Sequence, residues 1–265
     1  KVFFLSSNPE ACLPFDPFSA TFYMLTRYEE YLEKKTDELG RFPAHNSLAY
    51  KHDFLHIPVV DYWIIFIKEK LKHKFPDLVF KSHTFNFYNT IDVDNAFAYL
   101  EKGLGRNLGS FLKDILQFRF KNIKNKIRVL FYGDKDPYDN YDQLLKLHAK
   151  YNVNTLLFFL VSDYGKYDKN ILFSSKKLQT TIKYIANFCN IGIHASFRSV
   201  KYPKNLAIEI KRLENLLNTK ITSNRQHYIF LNIPKNYQNL IKNKIKHDYS
   251  MGYPSLPGFR AGTSY

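Results

Sequence analysis

Residues 84–94 read Thr-Phe-Asn-Phe-Tyr-Asn-Thr-Ile-Asp-Val-Asp, a strand-like run that ends in the carboxylates of Asp92 and Asp94. After this run, apolar strands alternate with segments whose apolar residues recur at helical spacing. The further strands are predicted at Val153–Val161, Ile191–Ile193, Arg225–Leu231 and Ile245–Tyr249. The helices are predicted at 140–150, 174–187, 203–217 and after Pro234. This alternation predicts an α/β domain over residues 84–265, with a largely parallel sheet that forms either a barrel or a doubly wound sheet.

Residues 1–80 are predicted to form a mainly helical companion region. The segment Phe18–Lys34 carries apolar residues at helical spacing, and Pro58 suits the first turn of a helix that runs to about Lys72. The region is expected to be incomplete at its start, because the first residue is Lys1 and not Met. Residues 96–138 have a less regular pattern and are predicted to be an insertion after the first strand of the α/β domain.

The 265-residue chain carries 39 basic and 24 acidic residues, a formal net charge of +15. Such a charge can indicate nucleic acid or another acidic polymer as a partner. The lysines are scattered, however, and they far outnumber the arginines, which is more typical of solvated surface lysines. Nucleic acid is therefore not the expected partner. The densest basic stretch, Lys121–Arg128, is the one place where a polyanion could dock.

Only two cysteines are present, Cys12 and Cys189, which excludes a framework of several disulfides. Cys189 ends an apolar helical stripe and is predicted to be a core residue. Low cysteine use is typical of a reducing compartment, so a cytoplasmic location is expected. The most apolar run, Val59–Ile67, is too short to span a bilayer and contains Asp61, so no membrane span is expected. These features leave the oligomeric state open.

Polar side chains with chemical uses follow three of the predicted strands. The first strand ends in Asp92 and Asp94, another ends in His194, and a third region carries Arg225 and His227. Functional groups of parallel α/β folds gather at the carboxyl ends of strands. Two carboxylates two residues apart can diverge where the chain turns, so that one faces a metal while the other faces substrate or water. An imidazole from a neighbouring strand would supply the nitrogen ligand that zinc favours.

Each of these features also has a purely structural explanation. An Asp-x-Asp pair often caps a turn, a histidine after a strand is often a hydrogen-bonded core residue, and an arginine on a strand is often part of a salt bridge. Their common placement at strand ends is what favours a functional site.

Four short motifs follow one another in residues 84–265: Thr90-Ile-Asp92-Val-Asp94, Gly192-Ile-His194-Ala-Ser196-Phe197, Arg225-Gln-His227-Tyr228 and Asp248. Their order and spacing resemble those of the polysaccharide deacetylase (NodB-homology) superfamily, carbohydrate esterase family 4. The whole chain also resembles a bacterial subgroup of deacetylase-like proteins that carry an N-terminal helical companion. The short motifs of that subgroup appear as Asp136-Pro-Tyr-Asp139, Lys166-Tyr-Asp168-Lys-Asn170, Gly252-Tyr253, Gly258–Thr263, Asp16-Pro-Phe18, Arg27–Tyr31 and Gly40-Arg-Phe42.

The resemblance implies a distorted parallel (β/α) barrel of the NodB-homology type and a metal-dependent hydrolase that removes acetyl groups from N-acetylated oligo- or polysaccharides. Asp92 would be the general base, and Arg225 would pair with it and hold it ionised. Asp94 and His194 would bind a divalent metal, expected to be zinc. Asp248 falls at the aspartate of the fourth motif and is expected among the catalytic residues.

Two departures from the family pattern affect this site. The second motif normally offers a second histidine four residues after the first, and here that position is Arg198. His227 is the best candidate for a third metal ligand, although it could equally contact substrate. No residue of the chain matches the family's general-acid histidine, which either lies beyond Tyr265 or is absent. The barrel is expected to be truncated at its C-terminus.

Three classes of function therefore stay open. The first is the metal-dependent deacetylase, and the second is a non-catalytic relative that binds glycan or a protein partner. The third uses the Asp-x-Asp pair differently, as in a phosphatase with an aspartyl nucleophile or a glycosyltransferase that holds a metal-nucleotide. The phosphatase pattern prefers Thr or Val where this chain has Asn95, and no nucleotide-binding glycine-rich loop is evident.

Overall fold

The computed structural model describes residues 3–33, 35–81 and 84–265. The chain divides into two compact units. The first comprises Lys1–Phe85, Tyr228–Gln238 and Tyr249–Tyr265, and the second comprises Asn86–His227 and Asn239–Asp248. The division differs from the predicted one, in which all of residues 84–265 belonged to a single domain.

The N-terminal segment of the first unit contains four helices among its described residues. They are α1 (Pro17–Leu25), α2 (Glu29–Leu32), α3 (Leu48–Lys51) and α4 (Val59–Lys74), with a 3-10 turn at Ala44–Asn46. Asp16 caps α1 by accepting hydrogen bonds from the N–H groups of Phe18 and Ser19. The helix predicted over Phe18–Lys34 is divided into α1 and α2, because Arg27 lies between them with a φ of 56°. Lys34 itself lies outside the described residues.

A buried set of charged side chains explains why the last residues of the chain belong to the first unit. We call it the N-terminal ionic network: Arg27, Glu29, Glu30, Tyr253 and Arg260. The Arg27 Nε donates to Glu30 Oε1 at 2.8 Å, and Arg260 donates to both carboxylate oxygens of Glu30, at 2.9 and 2.7 Å. Arg27 also donates to Glu29, to the Tyr253 hydroxyl and to the carbonyl of Arg260. Because these partners are about 230 residues apart in sequence, no local pattern predicted the segment's position.

The second unit contains the parallel sheet and most of the remaining helices. The strands are β1 (Tyr88–Val93), β2 (Asn154–Phe159), β3 (Asn190–Ala195), β4 (Ser223–Gln226) and β5 (His247–Asp248). The helices that follow in the chain are α5 (Leu104–Leu116), α6 (Phe120–Phe131), α7 (Tyr141–Tyr151), α8 (Lys176–Ala186), α9 (Phe197–Lys201), α10 (Lys204–Leu217) and α11 (Lys235–Lys242). Residues Leu157, Ile182, Ile193 and Leu213 are fully buried, which places the core between β2, β3, α8 and α10.

All strand pairs are parallel, and the strands lie in the order β1-β2-β3-β4-β5. A doubly wound sheet reverses its direction of strand addition, whereas a (β/α) barrel adds each new strand on the same side. The α/β fold with a parallel sheet is therefore confirmed, and the order is that of a barrel. The register pairs His194 with Arg225 across β3 and β4, and Asp92 with Phe158 across β1 and β2.

Several element bounds differ from the sequence prediction. Strand β1 begins at Tyr88 and not at residue 84, and β4 ends at Gln226 where the prediction continued to Leu231. The chain leaves β4 through a 3-10 turn at His227–Ile229, in which Tyr228 has a φ of 62°. The stretch 96–138, predicted to be an insertion after the first strand, contains the two helices α5 and α6. Within the described residues, no helix is both long enough and apolar enough to cross a membrane.

Candidate metal centre

Three side chains from different strands of the second unit converge at the carboxyl end of the sheet. Asp94 follows β1, His194 lies on β3 and His227 follows β4. One potential ligand atom from each residue lies within 4.8 Å of the others. We call these three residues the strand-end cluster. The sequence predicted that they would meet, because parallel strands bring their carboxyl ends to one edge of the sheet.

His194 is held in one orientation by the neighbouring strand. Its Nδ1 donates to the backbone carbonyl of Arg225 at 2.8 Å, which leaves Nε2 facing Asp94 Oδ1 at 3.2 Å. The imidazole is buried, so this hydrogen bond satisfies a polar group that would otherwise be costly to bury. A histidine fixed at Nδ1 in this way presents the Nε2 lone pair of its neutral form to a metal.

His227 is held by a carboxylate in place of a carbonyl. Its Nδ1 lies 3.1 Å from Asp168 Oδ1, and its Nε2 lies 3.5 Å from Asp94 Oδ1. Burial opposes the charged form of His227, but hydrogen bonds to Asp168 and Asp94 outweigh it and raise the pKa of the imidazole to about 9. Hydrogen bonds from His194 and His227 hold the pKa of Asp94 well below its usual range.

Asp168 is buried, and three donors meet its carboxylate. Besides His227, it accepts hydrogen bonds from the backbone N–H groups of Phe197 and Arg198, at 2.7 and 3.1 Å, in the first turn of α9. Asp168 lies in the motif Lys166–Asn170, to which the sequence analysis assigned no role. A carboxylate that orients a ligating histidine is a common feature of metal sites.

The second carboxylate of the Asp-x-Asp pair is engaged separately. Arg225 Nη1 donates to Asp92 Oδ1 at 3.1 Å, and its Nη2 donates to Thr90 Oγ1 at 2.6 Å. The guanidinium also lies over the Phe158 ring, 5.0 Å from its centroid. Gly192 leaves room for that ring, because a Cβ at this position would lie 2.6 Å from two of its atoms. The two carboxylates thus diverge, and the side chain of Asp92 remains one third exposed.

A buried carboxyl group is hydrogen-bonded to Ser196, two residues after His194. Glu209 of α10 accepts hydrogen bonds from Ser196 Oγ at 2.5 Å and from the Ser196 N–H at 3.0 Å. Burial raises the pKa of Glu209 to about 7, against the lowering effect of these two bonds. Gln226 donates to the carbonyls of Ala195 and Ser196, which joins β3 and β4 beyond their shared ladder.

The donor set of the strand-end cluster fits a divalent metal such as zinc. One carboxylate oxygen and two imidazole nitrogens form a common three-residue set at catalytic zinc sites. Both histidines have their Nδ1 atoms engaged by oxygen acceptors, and both direct Nε2 towards Asp94. The Asp94 side chain is about half exposed, so the cluster is open to solvent.

Two other residues that the sequence analysis considered for the site lie outside the strand-end cluster. Asp248 pairs in register with Asn224 and accepts a hydrogen bond from its side-chain amide at 2.7 Å, so its catalytic role stays a prediction. Arg198 stands four residues after His194, and its exposed guanidinium lies over the Tyr202 ring. Neither residue is among the three that converge.

The sequence model of a family of unknown function, DUF7033, matches residues 1–76. None of the curated proteins matches this chain.

Two solved structures are similar to the chain at low identity. A candidate polysaccharide deacetylase from Mycobacterium smegmatis is 15% identical, with a TM-score of 0.40 over 66% of this chain and 54% of that chain. IcaB from Ammonifex degensii is 13% identical, with a TM-score of 0.33 over 45% of this chain and 60% of that chain. The chain therefore spans about half to three fifths of the length of these proteins.

Proposed function

We propose that this protein is a metal-dependent hydrolase that removes acetyl groups from N-acetylated sugars. The observation that supports this most is that two neighbouring carboxylates have different partners. Asp94 lies against the Nε2 atoms of two histidines whose Nδ1 atoms are hydrogen-bonded to other groups. Asp92 lies against Arg225 and remains partly exposed. The motifs that carry these residues resemble those of carbohydrate esterase family 4, which is the reason for proposing an acetylated sugar as substrate.

Asp94, His194 and His227 would hold the metal. When bound, a divalent ion such as zinc would lower the pKa of water and polarise the acetyl carbonyl. The chain's own residues would do the rest. Asp92 would take the proton from the attacking water, and Arg225, anchored on Thr90, would keep the Asp92 carboxylate in place. Asp168 would keep the Nδ1–H of His227 engaged, so that Nε2 remains the ligating atom.

The first test is metal binding, measured by calorimetry and elemental analysis on the 265-residue chain. We expect one equivalent of zinc in the wild type and none in Asp94→Ala. Asp92→Asn should bind zinc as the wild type does, because that side chain pairs with Arg225 and not with the histidines. A wild-type protein that binds no divalent ion would contradict the proposal.

The second test is turnover of N-acetylated oligosaccharides by the zinc-loaded protein. Asp92→Asn keeps the size of the side chain but cannot accept the proton, so activity should fall about 100-fold or more. Removal of acetate can be measured directly. Covalent transfer of phosphate to Asp92 from a phosphate ester would favour an aspartyl phosphatase instead.

A non-catalytic glycan-binding protein is the second candidate, and Arg198 is the observation that favours it. At the second-histidine position of the motif, the chain carries a guanidinium that lies over Tyr202 and is not part of the strand-end cluster. A protein that is zinc-loaded, inert on every acetylated sugar tested and still able to bind those sugars would support this candidate.

A further inference from the structure

The helices α5 and α6 form a pair whose apolar side chains are largely exposed. We call residues 104–131 the α5–α6 hairpin. At its tip, Leu116, Phe118 and Phe120 are 79%, 79% and 66% exposed. The further exposed apolar residues of the hairpin are Leu104, Leu108, Leu112, Ile115, Ile127 and Phe131. In α5 these residues recur at helical spacing and so form one continuous face.

The two helices bury polar groups between them. The Lys126 ammonium contacts both the Asp114 carboxylate and the Ser110 hydroxyl, and Lys126 and Asp114 are both buried. The ammonium also lies 5.2 Å from the centroid of the Phe111 ring. This arrangement reverses that of an ordinary surface helix, which turns its polar side outward and its apolar side inward. An apolar face left outward at this scale indicates an interaction site.

The charge of the hairpin identifies the kind of partner. Asp114 is the single acidic residue between positions 104 and 131, and it is buried. The exposed charged residues of the hairpin are Lys113, Arg119, Lys121, Lys124 and Arg128. At the tip the two kinds of residue alternate, as Phe118-Arg119-Phe120-Lys121. Apolar side chains that alternate with exposed cations are suited to a lipid surface, where phosphate headgroups lie above acyl chains.

The base of the hairpin is fixed to its own unit. Arg106, in the first turn of α5, donates to the carbonyls of Asn170 and Lys169 at 2.8 and 2.6 Å. Its guanidinium also lies over the Tyr164 ring, 4.4 Å from the centroid. The end with Phe118 and Phe120 is therefore presented to solvent from an anchored base.

We propose that the α5–α6 hairpin binds an anionic lipid surface. Leu116, Phe118 and Phe120 would enter the boundary between headgroups and acyl chains, and the exposed lysines and arginines would contact lipid phosphates. A second copy of the chain fits this face less well, because each copy would bring the same net positive charge, of which, among the described residues, only Arg128 is paired with a carboxylate outside the hairpin, that of Asp134. Nucleic acid would account for the cations but not for the exposed leucine face. The inference is independent of the proposed hydrolase activity.

The experiment is cosedimentation of the 265-residue chain with two kinds of vesicle, phosphatidylcholine alone and phosphatidylcholine mixed with phosphatidylglycerol. The wild type should bind the mixed vesicles and bind the neutral ones far more weakly. The double variant Phe118→Ser/Phe120→Ser should bind the mixed vesicles at least about tenfold more weakly, because two large apolar side chains no longer enter the lipid. Lys121→Ser/Lys124→Ser should weaken binding about fivefold for each charge removed.

Matched variants in the same unit separate the hairpin from general effects. Phe188→Ser removes an exposed aromatic ring outside the hairpin, and Lys146→Ser/Lys150→Ser removes two exposed lysines of α7. Both should bind as the wild type does. In addition, Phe118→Trp should show a blue-shifted emission on binding, over the background of Trp63, the single native tryptophan.

Four results would overturn the proposal. They are absence of wild-type binding, unchanged binding by the phenylalanine variant, equal loss of binding by the α7 lysine variant, and a lipid-free dimer that the phenylalanine variant dissociates. The last result, measured by sedimentation velocity, would identify the surface as a contact between two copies.

Discussion

The N-terminal ionic network and the strand-end cluster both gather charged side chains, but they differ in how completely the charges are paired. In the network, guanidinium groups and carboxylates are buried and joined by several hydrogen bonds each. In the cluster, a half-exposed carboxylate lies against two imidazoles at 3.2 and 3.5 Å, and both imidazoles are held from behind. Breaking a closed, buried set of charges leaves a charge without its partner, whereas an open set of convergent ligand atoms can bind a metal ion.

The largest effect is expected where the closed network is broken. Glu30→Ala removes the carboxylate that Arg260 holds through two hydrogen bonds, and it leaves a buried cation short of its partner. The free energy of unfolding of this unit should fall by about 3–5 kcal/mol. Urea unfolding followed by Trp63 fluorescence measures it, because Trp63 lies in the core of the first unit.

The control for this prediction is an exposed ion pair. Lys220, in the second unit, lies 3.4 Å from Glu214 and its side chain is 84% exposed, so Lys220→Ala should cost less than about 1 kcal/mol when unfolding is followed by circular dichroism. If Glu30→Ala cost no more than this control, the buried network would have no special part in stability.

Glu209 is buried like Glu30, but it receives hydrogen bonds from Ser196 where Glu30 receives them from guanidinium groups. Its pKa in the folded protein, about 7, lies above the ordinary value of 4.5. Folding therefore favours the protonated acid, and the free energy of unfolding should fall as pH rises from about 4.5 to about 7. The loss should reach about 3 kcal/mol.

The measurement is urea unfolding of the wild type and of Glu209→Gln across this pH range, followed by circular dichroism. The glutamine variant should lose the part of the pH dependence that Glu209 contributes. Parallel curves for the two proteins would show that the ionisation of Glu209 is not linked to folding.

Zinc affinity should distinguish His227, a member of the strand-end cluster, from Arg198, which lies outside it. His227→Ala removes one of three convergent ligand atoms, so zinc affinity should fall about 100-fold or more. Arg198→Ala should leave affinity unchanged, since this guanidinium lies over Tyr202. Calorimetry on both variants measures the difference. Unchanged affinity in His227→Ala would instead favour a substrate contact for this residue.

A smaller effect on zinc affinity is expected from Asp168, which contacts the proposed ligand His227. Asp168→Asn keeps the size of the side chain but removes the charge that faces His227 Nδ1, so zinc affinity should fall about tenfold. In the metal-free protein the same change should lower the pKa of His227 from about 9, because the carboxylate no longer stabilises the imidazolium. Nuclear magnetic resonance titration of the imidazole measures this shift.

Asp163→Asn is a suitable control for Asp168→Asn. Asp163 pairs with Arg212 at 2.6 Å, and its side chain is 68% exposed. This variant should change neither zinc affinity nor the titration of His227. An equal effect of both variants would point to net charge and not to the contact with His227.

Much of the second unit could be predicted from sequence because its signals are local. Alternating strands and helices predicted the parallel sheet, and the strand-end rule predicted that Asp94 and His194 would meet. The exact end of β4 could not be predicted in this way. The positive φ of Tyr228 turns the chain directly after His227, where the apolar pattern suggested a continuing strand.

The contacts that only the tertiary structure decided join residues far apart in the chain. Asp168 reaches His227 across 59 positions, and Arg260 reaches Glu30 across 230. Periodicity and turn chemistry act over a few residues, so they predicted the alternation of strands and helices and the candidate ligands, but not the exact bounds of these elements. The carboxylate that faces a given histidine, and the unit that holds the last residues, depend on partners that packing brings together. The sequence by itself therefore determined the α/β fold and the residue types of the candidate site, and the tertiary structure decided which of these residues are in contact.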